Sequence, residues 1–116
     1  MTPQRAETLE WLVQRASAVV LAVCVLVHLA VIVFAVRGGV TTHEIAGRLG
    51  GSVPWLMFYS VFVLAVALHA PVGLRNILRE HTGLGQRSTH WIMAVVCLFI
   101  LVMGFRAVIG LYSLGA

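Results

Sequence analysis

The chain has 116 residues, 60% of them hydrophobic and only 10% charged, with a mean hydropathy of +0.99. Soluble domains run at roughly 45–50% apolar and about 25% charged, so this composition excludes an ordinary soluble domain, a disordered chain and a nucleic-acid module. An integral membrane protein remains. At about 20 apolar residues per crossing there is room for three spans, or four at most. The net charge is +4, carried without any Lys or Asp: all eight bases are Arg and all four acids are Glu. In a membrane protein such a basic balance points to loops that face anionic lipid.

In chain order, the polar segment MTPQRAETLEWLVQR leads into an apolar run from Ala16 to Val36. The segment is too polar and the run too long for a cleaved signal peptide. Arg37-Gly-Gly-Val-Thr-Thr stops this first helix, and Thr42–Leu49 is expected to form a short interfacial helix. Pro54 suits the first turn of a second apolar helix, which carries Tyr59, Ser60, His69 and Pro71 within it. A polar loop around residues 79–88 follows, with Ser88 or Thr89 expected to cap a third helix that is interrupted by Arg106. The expected architecture is therefore all-α: a single domain over residues 1–116, with transmembrane helices at about 12–36, 54–78 and 90–114 in an up-down-up bundle. Three spans put Arg5, Arg15, Arg75, Arg79 and Arg87 on one side and Arg37 and Arg48 on the other, with Arg106 nearer the second. The positive-inside rule then places the N-terminus in the cytoplasm, which for a bacterial chain means the inner membrane. Cys24 and Cys97 lie in apolar runs without C-x-x-C spacing and read as inert thiols.

Ionisable residues inside a bilayer are expensive and each calls for an explanation. His28, His69 and Arg106 are the three here. A neutral imidazole in hydrocarbon needs a partner. For His69 the residues leave two readings, axial ligation of a haem iron or an interhelical hydrogen bond. Gly73 and Asn76 share its helix face, and Arg75, about 9 Å further along the axis, is placed to meet a haem propionate. Ser17, Leu21, Cys24 and His28 form a stripe at spacings of 4, 3 and 4 that should face the protein interior. His28 lies about 20 Å beyond Arg15, at a different depth from His69, so it reads as the ligand of a second haem or as a histidine bonded to a neighbouring helix. Arg106, about 22 Å beyond Trp91, is near that depth; it pairs with a propionate of an outer haem or snorkels to the headgroups. His43, His81 and His90 are expected to be solvated. No Asp or Glu lies inside the three runs, which argues against a proton-coupled transporter.

Two motifs carry a resemblance. His69-x-x-x-Gly73-x-Arg75 resembles the second helix of the cytochrome b subunit of succinate dehydrogenases, and Gln14-Arg15-Ala16-Ser17-Ala18 resembles that family's His-Arg-x-Ser-Gly at the start of helix I, with Gln14 for the His and Ala18 for the Gly. The resemblance implies a three-helix membrane anchor with haem b on His69, and a quinone pocket (ubiquinone or menaquinone) and a haem propionate bordered by Arg15 and Ser17. It implies an iron–sulfur subunit and a flavoprotein subunit as partners. Bis-His ligation needs two imidazoles per iron, and this chain offers one at each depth, so a second membrane subunit is expected to supply the others. Two-haem relatives take one ligand from each of the first two helices, which His28 and His69 resemble. The anchor of a succinate:quinone oxidoreductase is the reading that follows. A fumarate reductase anchor working in reverse shares the same chemistry, and a haem-free anchoring or assembly protein is the reading from a different class.

Overall fold

A computed structural model describes residues 2–39 and 41–114. They form four helices, α1 Pro3–Arg37, α2 Thr42–Leu49, α3 Val53–His81 and α4 Gln86–Ser113, and no strand among the described residues. Helices α1, α3 and α4 are each long and apolar enough to cross a membrane, and α2 is the short helix between the first two. The protein is thus an all-α, multi-pass membrane bundle running up-down-up.

The boundaries have local causes. Thr2 caps α1 by accepting the Arg5 N–H at 3.3 Å, and Pro3 opens the helix where its missing N–H is not needed. At its far end Arg37 complements the helix dipole, and the chain turns at Gly38 and Gly39. Gly39 takes φ +61°, as does Gly51 at +71° between α2 and α3, a conformation that disfavours any Cβ. Val40, within that stop, lies outside the described residues. Pro54 occupies the first turn of α3 as expected, and α3 continues through Pro71 to His81. The cap of α4 differs from expectation. Gly85 is the N-cap, and Thr89 sits one turn inside, only 1% exposed, donating its hydroxyl to the Gly85 carbonyl at 2.9 Å. A threonine hydroxyl can back-bond a carbonyl four residues earlier, so the apolar run does not mark the start of the helix.

The helices also outrun the apolar segments. α1 has 35 residues, about 52 Å at 1.5 Å per residue, against roughly 30 Å of hydrocarbon. Its polar beginning is therefore helical and continues the span beyond the membrane core.

α3 is the central element, packed on α1 on one side and α4 on the other. Ala65 and Ala67 stand roughly 200° apart around the helix, yet both are buried, because each faces a different neighbour. Contacts are made through small side chains, as is usual where lipid already solvates apolar groups: Ser17 and Cys24 on α1, the two alanines on α3, Gly104 on α4. Large apolar residues such as Phe34, 79% exposed, and Phe99, 64% exposed, face outward. The α2–α3 corner is tied to the end of α4 by the Gly51 N–H donating to the Tyr112 carbonyl at 2.8 Å.

Candidate functional site

Three levels of contact run along the α1–α3 groove. Nearest the N-terminal end, Glu10 forms an ion pair with Arg75. Below it Ser17 meets His69. Further down, His28 meets the rings of Tyr59 and Phe62 edge-on, with centroids 5.9 and 5.7 Å apart. α1 and α3 are antiparallel, so each step forward on one helix is a step back on the other. The two histidines consequently lie about 16 Å apart in depth, from the eleven residues between Ser17 and His28.

The Ser17 level places a hydroxyl against His69. Ser17 is 5% exposed. Its hydroxyl donates to the Gln14 carbonyl at 3.1 Å and lies 3.4 Å from His69 Nδ1. A hydroxyl has one proton. With that proton directed to Gln14, the oxygen is free to accept from Nδ1–H, in the tautomer that leaves the ring lone pair on Nε2. Gln14 reinforces the arrangement by donating Nε2–H to the His69 carbonyl at 3.4 Å, and it approaches Gly73 closely: a Cβ there would lie 3.7 Å from the Gln14 amide nitrogen. The stripe anticipated on α1 is realised, with Ser17 and Cys24 buried and His28 half-buried against α3.

His28 lines an apolar cavity of about 490 Å³ with Tyr59, Phe62, Val66, Gly104 and Val108, while its own Nδ1 is buried without a partner. No arginine lines that cavity. Arg106 is exposed and is not among the residues that line it. Arg15 is exposed as well, its guanidinium 5.3 Å from the centroid of the Trp11 ring. Arg15 and Ser17 thus face different surroundings, as expected two positions apart on one helix. Asn76 is exposed and accepts from Arg75 Nη2 at 3.3 Å. His43, His81 and His90 are exposed.

A family model described as "succinate dehydrogenase/fumarate reductase transmembrane subunit" matches residues 2–108. The chain belongs to this family. No curated protein and no solved structure gives a significant match. As a succinate dehydrogenase/fumarate reductase transmembrane subunit, the protein is a non-catalytic membrane anchor within a larger enzyme complex. The described residues hold no group of three or more His, Cys, Asp or Glu side chains that could hold a metal ion.

Sequence reasoning alone missed two features of this site. Glu10 lay in the polar segment ahead of the first apolar run, with nothing local to mark it as a partner of Arg75. The ring cluster of Trp55, Phe58, Tyr59 and Phe62 beside His28 was signalled only by Tyr59, a polar ring within a span.

Proposed function

We propose that this protein, as a single domain over its whole length, anchors a succinate:quinone oxidoreductase and holds one haem b through His69 Nε2. The observation that carries this reading is the Ser17 hydroxyl beside His69 Nδ1, because a ligating histidine needs its second nitrogen held by a hydrogen-bond partner. Haem b supplies a one-electron carrier between the iron–sulfur subunit and quinone. The chain's own part would be to present one imidazole and to offer Arg75 and Asn76 at the polar end of α3 for the propionates, with a partner membrane subunit supplying the other imidazole. The exposed Arg15, stacked on Trp11, is the donor offered to a quinone carbonyl near the membrane surface. Ser17, expected from the resemblance to border the quinone, is turned to His69 and supports the haem instead.

His28 is not given a second haem in this reading. His28 lacks the kind of hydrogen-bond partner that Ser17 gives His69: its Nδ1 is buried with none among the described residues. The end that bears Arg5, Arg15, Arg75, Arg79 and Arg87 faces the cytoplasm of a bacterial inner membrane, where the flavoprotein and iron–sulfur subunits dock.

Reduced-minus-oxidised spectra of the purified complex test the proposal: b-type bands and one haem per flavin are expected. A colourless complex would leave the haem-free anchor as the reading, and two haems per flavin would reinstate His28. A narrower test is Ser17→Ala. Loss of a hydrogen-bond partner behind a metal-ligating histidine typically weakens metal binding by about 10–100-fold, so the variant should shed haem during purification while Ser17→Thr, which keeps the hydroxyl, retains it.

A further inference from the structure

Of the four acids, Glu7, Glu44 and Glu80 are exposed and only Glu10 is half-buried; of the eight arginines only Arg75 is half-buried. These two withdrawn charges pair with each other across the α1–α3 groove, their side chains 37% and 18% exposed. They are 65 positions apart in sequence, and only the antiparallel packing of the two helices brings them together.

The pair sits next to the candidate site. Glu10 is about 10 Å from Ser17 along α1, and Arg75 about 9 Å from His69 along α3. A long guanidinium side chain has many rotamers, and one carboxylate on the facing helix selects among them. Arg75 Nη2 is engaged with Glu10 and Asn76, while its Nε is buried without a partner. The guanidinium is thus held by contacts at its tip.

We propose that Glu10 is a positioning residue of the His69 site: it acts through Arg75, holding the guanidinium at the mouth of the groove and offsetting its charge beside the haem. This rests on the haem assigned to His69 above. A cation near the iron favours the reduced state, which carries one more electron, and an anion beside that cation opposes the effect. At a half-buried site water screens such charges less than at the open surface. An ion pair that only clipped α1 to α3 would contribute little and would leave the potential where it is.

Redox titration of the b-type bands in the intact complex separates these roles. Glu10→Gln keeps the shape and removes the charge; it should retain the haem-to-flavin ratio and shift the midpoint potential to more positive values. Arg75→Gln should shift it to more negative values. The double variant, neutral at both positions, should return close to the wild-type potential. An unchanged midpoint in Glu10→Gln with haem retained overturns the proposal while leaving the haem assignment intact. Loss of haem from Glu10→Gln also overturns it, since Glu10 would then be needed for the fold of the site rather than for its charge. Absence of haem from the wild-type complex, seen before any variant is made, removes the haem reading and this inference with it.

Discussion

Replacing His69 with alanine is expected to remove the b-type spectrum from the complex while the subunit still inserts and folds. Iron ligation by an imidazole cannot be replaced by neighbouring groups here, because His69 is the only histidine at its level of the bundle. The next inward, His28, is about 16 Å away in depth. Folding should survive because His69 is half-buried rather than enclosed, and the interaction it gives up within the chain is one hydrogen bond to Ser17 at 3.4 Å, a loss of about 1 kcal/mol. The measurement pairs a difference spectrum with the amount of anchor subunit recovered from the membrane. Bands that persist in His69→Ala at normal subunit levels would exclude His69 as the ligand. Loss of haem in parallel with loss of the subunit would point to a structural histidine instead.

Gly104→Ala should loosen the contact between α3 and α4. A Cβ at Gly104 would lie 2.7 and 2.9 Å from the two γ-carbons of Val63 and 3.3 Å from its Cβ. Valine in a helix has one strongly preferred χ1, so Val63 cannot swing aside, and α3 and α4 must separate. Overpacking of this kind costs typically about 1–3 kcal/mol. Because α3 also carries the His69 face against α1, a displaced α3 disturbs the Ser17–His69 contact too. Thermal inactivation of the complex and its haem retention are the measurements, with Val63→Ala as the compensating change. The double variant should recover most of the loss. A Gly104→Ala complex as stable as the wild type would show that the α3–α4 contact is looser than this geometry. By contrast Gly110, on the same helix, has open space where its Cβ would stand, and Gly110→Ala is expected to be neutral.

The parts of the site that could be read from the sequence are those whose chemistry is local. His69, Gly73 and Arg75 fall within seven residues of one helix, and their spacing already carried the resemblance that the family match confirms over residues 2–108. The stripe from Ser17 to His28 was likewise legible, since a helix of known period places those side chains on one face. For Arg106 only the depth was legible: the direction of a residue around its axis depends on which neighbour lies there, and Arg106 is exposed, outside the lining of the cavity beside His28. The start of α1 was not legible from hydropathy, which marks where a chain enters lipid, whereas Thr2 and Pro3 decide where the helix starts.

Sequence by itself determined that this is a membrane protein of three spans, which of its ends is the more basic, and to which family its motifs point. Composition and short-range periodicity suffice for these, because each depends on residues within a few turns of one another. Tertiary structure alone decided the partners. It set the Ser17 hydroxyl beside His69 and paired Glu10 with Arg75 across 65 positions. Those outcomes depend on the antiparallel register of α1 on α3 and on the close approach of α4 at Gly104. Packing of small side chains across the bundle sets that register, and it has no counterpart in the periodicity of any single helix.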